Sequence, residues 1–257
     1  MKSYLDALVA RYNTKDFIEN DPVQFPHRFV MLQDQEIVGL LIAIISWGKR
    51  NMILNNAEKM LSLMDNKPYE FIQKRKYESL SDEGAMHRTF QMVDFKYICR
   101  GLNHIYKKVD SLESFFIGKN DLFDGIEEMR NAIIEGNNLT GHYSERSLKH
   151  IAAPSKKSAC KRINMFLRWM VRNDGVVDLG VWTKISPSKL YIPLDTHVIQ
   201  SSKKLGLLAR TQNDIKSVKL LTEKLSEFCP EDPIKYDFAL FGVGVNNDEI
   251  NLPKSQA

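Results

Sequence analysis

Between Gln35 and Gly48 the chain is apolar on nearly every side of a helical wheel, through Ile37-Val38-Gly39-Leu40-Leu41-Ile42-Ala43-Ile44-Ile45. A helix that is apolar all round must be buried all round. Other helices therefore have to wrap it, and Asp34 stands where it would cap its start. The run from Ile37 to Trp47 covers about 11 residues against the roughly 18 needed to cross a bilayer, so it reads as the centre of a fold and not as a membrane span. With 257 residues, 43% of them hydrophobic, there is enough chain to bury such a helix in one helical domain or two lobes.

Helical periodicity continues on both sides. Leu5, Leu8, Val9 and Tyr12 mark an amphipathic opening helix. Asp21-Pro22 and Pro26 break the chain into a loop around His27-Arg28. Amphipathic stretches follow over about 51–64, 68–74, 94–107, 111–117 and 121–135. Gly136-Asn137-Asn138 then reads as a stop. Later helices fall at about 196–206, 214–228 and 233–242. No segment alternates with period two, so the expected fold is all-α, with disorder confined to the last few residues. Cys99, Cys160 and Cys229 form no CxxC pair, which argues against a structural zinc or iron–sulfur site and fits a reducing cytoplasm. Met1-Lys2-Ser3-Tyr4-Leu5-Asp6 has an early acid and no apolar signal core. The expectation is a cytoplasmic monomer without cofactor or metal.

Charge is nearly balanced over the whole chain, at net +4, but not locally. From Arg146 to Arg172 there are eight Lys or Arg residues and no acid. A helix is expected from about Ser158 to Arg172, ended by Asn173-Asp174-Gly175. On it Lys157, Lys161, Asn164, Arg168 and Arg172 form one polar stripe, opposite a core stripe of Cys160, Ile163, Phe166, Leu167 and Met170. Like charges at this spacing repel, so the stripe is either a solvated face or a surface awaiting an anion. Met165 and Trp169 border it, and a base could stack on the indole beside the cations. Downstream, Pro193-Leu194-Asp195-Thr196-His197-Val198 places an aspartate at the start of a helix, where it acts at least as a cap. His197 reads by default as a structural histidine.

The Lys161–Met170 helix followed by Ile192–Val198 resembles the helix-hairpin-helix-GPD superfamily of DNA glycosylases. The interval of 34 residues from Lys161 to Asp195 is nearer that of the archaeal 8-oxoguanine glycosylase branch than that of the endonuclease III branch. Glu36–Ser46 is similar to the buried helix that opens the superfamily's helical barrel, and Tyr236–Gly244 to its late helix ending in glycine. Over most of its length the chain also resembles the uncharacterised bacterial domain-of-unknown-function family 2400. It departs at the hairpin, which usually reads like Leu-Pro-Gly-Val-Gly. Here Ile151-Ala152-Ala153-Pro154-Ser155-Lys156-Lys157-Ser158 has no glycine. Ser46-Trp47-Gly48-Lys49-Arg50 replaces the usual glutamine, and the C-terminal iron–sulfur cysteines are absent.

The resemblance implies a two-lobed all-α fold with a cleft between the lobes. Residues 36–175 would form one lobe; 1–35 with 176–257 would form the other. It implies a bifunctional glycosylase and AP lyase of base-excision repair, acting on an oxidised base such as 8-oxoguanine in damaged duplex DNA. Lys161 would be the nucleophile and Asp195 the stabiliser of sugar charge. An unperturbed lysine is only about 0.04% neutral at pH 7, so the site would have to favour the free amine. Ser155, Lys156, Lys157, Ser158, Arg162, Arg168 and Arg172 would contact DNA. Trp47, Lys49, Arg50, Phe166 and Trp169 would hold the flipped base, with Trp182 a further candidate wall. The alternatives are a non-catalytic nucleic-acid-binding protein on the same scaffold, a helical protein-interaction scaffold, and a monofunctional glycosylase that uses Asp195 and water.

Overall fold

The computed structural model describes residues 1–246, and the expected disorder of the final residues lies outside them. The chain is mostly helical. Its helices are α1 (Lys2–Tyr12), α2 (Lys15–Glu19), α3 (Leu32–Ile45), α4 (Arg50–Leu63), α5 (Pro68–Gln73), α6 (Met92–Ile105), α7 (Leu122–Asn138), α8 (Glu145–Leu148), α9 (Lys161–Val171), α10 (Thr196–Lys204), α11 (Ile215–Ser226) and α12 (Asp237–Asn246). Among the described residues one antiparallel hairpin interrupts them, β1 (Ala85–His87) with β2 (Phe90–Gln91). Two strands of three and two residues are too short for period-two alternation to register.

The apolar run builds the centre as its composition demands. All ten residues from Glu36 to Ile45 are buried, and α3 packs against α9 and α5. Asp34 does not cap it. Its Oδ1 instead accepts the backbone N–H of Tyr69 at 2.8 Å, fastening the start of α5 to α3. Glu36, the one acid inside the run, is matched by four donors: Tyr106 Oη (2.8 Å), Ser111 Oγ (2.5 Å), Leu112 N (3.1 Å) and Trp182 Nε1 (2.7 Å). Burial pushes this carboxyl's pKa up while those donors pull it down.

Around this centre α6 lies along α7, α1 along α12, and α10 along α12. The buried apolar residues form one continuous cluster from Leu5 to Val243. Helix α7 runs through the expected stop to Asn138. A Cβ on Gly136 would come within 2.5 Å of His104 Cβ, so the glycine serves the close approach of α6 and α7. Asn137 spends its amide on the carbonyls of Tyr97 (2.9 Å) and Ile133 (2.8 Å), which supports the helix where the sequence suggested a turn. Over 111–117 the helix is a short 3-10 segment, Leu112–Phe115. Pro22–Gln24 and Pro26–Arg28 are likewise 3-10 turns. Among the described residues no helix is long and apolar enough to cross a membrane.

Candidate active site

The basic stretch is not one helix. Pro154–Lys156 forms a 3-10 turn, Lys157 and Cys160 take left-handed backbone conformations (φ 60° and 51°), and α9 starts only at Lys161. Lys157 therefore leaves the expected stripe, and its carbonyl accepts the N–H of Ile215 at 3.3 Å. Asn164, Arg168 and Arg172 remain on α9 but are buried. The segment after the helix folds back over that face. Leu179 N and Trp182 N donate to the carbonyls of Trp169 and Met170, both at 2.8 Å.

Arg168 and Arg172 thus contact carboxylates instead of presenting a surface to DNA. Arg168 pairs with Asp178 (3.2 Å) and Asp237; Arg172 pairs with Asp178, Asp232 (2.9 Å) and Asp174 (3.1 Å). Both guanidinium groups also lie over the Phe238 ring, at 4.4 and 5.5 Å. Burial works to lower the pKa of Arg172, but Asp178 and Asp232 more than reverse it. Four aspartates from beyond residue 172 neutralise a stripe that is acid-free only within 146–172.

A cavity at the edge of that network brings further candidates together. Lys161 opens α9, and Asp195 precedes α10, where its Oδ1 accepts the N–H of Val198 at 3.0 Å. The cap turns Oδ2 toward Lys161, whose Nζ lies 3.7 Å away. Both side chains are partly exposed, 27% and 21%, so the pair is reachable from solvent. They line a cavity of about 610 Å³ together with Trp47, Arg50, Arg162, Arg168, His197, Asp21 and Asp237. That volume suits a nucleobase-sized ligand in the usual range of small-molecule sites. Elements from most of the chain meet here: the turn before α3, the α3–α4 connection, α9, the start of α10 and α12.

Two carboxylates of this cavity escaped sequence reasoning. Asp237 is buried, and burial raises its pKa to about 6, helped by Asp195 and opposed by Arg168 and Lys161. Asp21 is pushed up by burial too, against the Val23 N–H and the charges of Arg168 and Arg50. Carboxyl groups shifted toward neutrality beside a cavity are marks of functional sites. Asp237 lay within the segment Tyr236–Gly244, and Asp21 read only as a chain break before Pro22. Neither carries a spacing signal linking it to Lys161.

The other expected base contacts divide. Trp47 and Arg50 line the cavity, whereas Lys49 is exposed ahead of α4 and does not. Phe166 and Trp169 are fully buried and are core residues, Phe166 packing edge-on against Trp182 at 5.3 Å. Trp182 is itself buried, with its N–H on Glu36. In the hairpin region, Ser155 N and Oγ donate to the carboxylate of Glu127 at 2.9 and 3.0 Å, so these donors are already occupied by an acid. Ser158 Oγ accepts the Cys160 N–H at 3.2 Å. Lys156 and Lys157 are exposed. Arg162 donates to the Ile44 carbonyl, and burial lowers its pKa. A second cavity of about 760 Å³, lined by Arg130, Tyr143, Lys149 and Lys156, shares Lys161, Arg162 and Asn213 with the first. Among the described residues no group of three or more His, Cys, Asp or Glu is placed to hold a metal ion.

A family profile described as a protein of unknown function (DUF2400) matches residues 21–246. The chain belongs to the DUF2400 family. The matched span includes Asp21, Trp47, Lys161, Asp195 and Asp237, so every charged group of the cavity lies inside the DUF2400 region. No curated protein and no solved structure matches the chain.

Proposed function

We propose that this DUF2400 chain is a DNA glycosylase with AP lyase activity, two-lobed in the manner of the helix-hairpin-helix-GPD superfamily, with the Lys161 cavity as the cleft between lobes. The observation that carries the reading is the Lys161 Nζ–Asp195 Oδ2 separation of 3.7 Å in a cavity walled by an aromatic ring. An oxidised base, 8-oxoguanine for example, flipped from damaged duplex DNA, enters beside Trp47. The neutral Lys161 amine attacks the sugar C1′ as the N-glycosidic bond breaks. The base leaves with that bond's electron pair and takes up a proton. The amine's proton passes to Asp195, whose negative charge steadies the cationic sugar in the meantime. Ring opening gives a Schiff base between Nζ and C1′. Loss of a C2′ proton then expels the 3′ phosphate, and water releases the enzyme.

Backbone contacts fall to Lys156, Lys157 and the second cavity beside Lys161. This follows because Arg168 and Arg172 are turned inward and Ser155 is engaged by Glu127. The Lys161–Asp195 ion pair also favours a second reading, in which lysine stays charged and Asp195 directs water at C1′ without an imine. Borohydride reduction traps an imine as a stable adduct, so trapping on lesion-bearing duplexes, with Lys161→Ala in parallel, separates the two. The lyase gives an adduct that Lys161→Ala abolishes. The water-using enzyme gives free base without an adduct, and neither product from any lesion refutes both readings.

A further inference from the structure

Trp47 is the one tryptophan of three that is not fully buried, and it stands at the cavity wall. Its surroundings are built by the hairpin that sequence reasoning missed. The Arg88 guanidinium lies over its ring, 4.5 Å from the centroid. The His87 ring meets it edge-on at 5.4 Å, and His87 Nε2 bonds the Trp47 carbonyl at 2.8 Å. Asn56 Nδ2 fixes His87 from the far side, at 2.9 Å from Nδ1. The next residue is Gly48, with φ at +96°, and a Cβ there would come within 2.5 Å of Arg88 Nη1. Arg88 is exposed and is not among the residues lining the cavity. Arg88 thus meets the indole without itself forming part of the cavity lining.

We infer that Arg88 is a positioning residue that braces Trp47 as a stacking wall, and that the braced wall selects neutral planar heterocycles over cationic ones. This rests on the base-binding reading of the cavity. An aromatic face attracts cations through its negative quadrupole. When one face already holds a guanidinium, the positive field crosses the thin ring and weakens that attraction on the other. Stacking and N–H contacts remain open to a neutral ring, while a ring alkylated to a permanent cation loses the attraction that a bare indole face would offer it. Bases damaged by oxidation stay neutral and fit this wall; bases quaternised by alkylation do not.

Tryptophan fluorescence reads this directly, since Trp169 and Trp182 are shielded and the quenchable signal belongs to Trp47. Acrylamide quenching is measured for the wild type, Arg88→Ala and Arg88→Lys, with Trp47→Phe to define the buried background and circular dichroism to verify folding. Nucleoside titrations then compare adenosine with its cationic N1-methyl derivative. Loss of the guanidinium should raise the quenching constant and weaken adenosine binding about two- to fivefold, the size of one exposed cation–π contact. Arg88→Lys should recover part of this, and the preference for the neutral nucleoside should narrow in Arg88→Ala. Unchanged quenching in Arg88→Ala, or tighter binding of the methylated cation by the wild type, overturns the inference even if the protein excises bases. Failure of excision and of imine trapping, with quenching as expected, sinks the glycosylase reading and leaves the brace in place.

Discussion

Replacing Arg168 by Met distinguishes a buried electrostatic hub from a DNA-facing surface. Arg168 is 5% exposed and pairs with Asp178 and Asp237, both nearly inaccessible. Removing one partner of a buried pair typically costs about 3–5 kcal/mol, because it strands the opposite charge. Here the loss falls mainly on Asp237, since Asp178 keeps Arg172. Protonation limits the damage. The Asp237 carboxyl already sits at about 6, and without the guanidinium it rises further and is neutral at pH 7, which places the cost near the low end, about 3 kcal/mol. For a chain of this size each kcal/mol moves the melting temperature by roughly 2–4 °C, so Tm should fall by about 6–12 °C. Asp237→Asn in the same chain should return part of the loss, because the stranded acid is gone. Calorimetry on the four proteins of the cycle gives the answer. A Tm within 2 °C or so of wild type, accompanied by weaker DNA binding, would refute the buried-hub account.

Three further perturbations probe the cavity and its rim. Asp195→Asn keeps a good helix cap and should leave stability within about 0.5 kcal/mol of wild type while abolishing base release, whereas Asp195→Ala should also lose about 1 kcal/mol of capping; urea titrations and a base-release assay measure the two effects. Asp237 binds its proton more tightly folded (about 6) than unfolded (3.8), so its contribution to stability falls as pH rises between those values. Asp237→Asn should remove that falling component, seen as a flatter Tm profile from pH 4 to pH 6.5 or so; an unchanged slope would contradict the shift. Glu127→Gln removes an acid that holds Ser155 N and Oγ and should tighten duplex binding several-fold with a steeper salt dependence, measured by fluorescence anisotropy.

The parts of this fold legible in the sequence are those set by one segment at a time. The all-round apolarity of Ile37–Ile45 could only mean a central helix, and α3 is buried over that whole run. Asp195 before α10 was readable as a cap, and the cap is what aims its second oxygen at Lys161. Features that depend on what folds back from elsewhere were not legible. Arg168 and Arg172 follow the helical spacing of a solvated stripe, but residues 174–182 and the start of α12 bring Asp174, Asp178 and Asp237 to them, and the turn before α12 brings Asp232. Trp169 has the spacing of a border residue yet is fully buried, and Phe166, on the core stripe, packs against Gly39 of α3 and Trp182. Gly136-Asn137-Asn138 has turn chemistry, yet α6 needs the glycine and Tyr97 takes the amide. The hairpin that carries His87 and Arg88 to Trp47 is too short to leave a period.

The central claim is that the Lys161 amine reacts at a sugar carbon beside Asp195. Borohydride trapping on duplexes bearing 8-oxoguanine, uracil, oxidised pyrimidines or an abasic site tests it most directly, with Lys161→Ala and Lys157→Ala alongside. The account predicts a covalent adduct, strongest on an oxidised base, that disappears with Lys161→Ala and persists with Lys157→Ala. An adduct indifferent to Lys161, or none on any duplex, would contradict it.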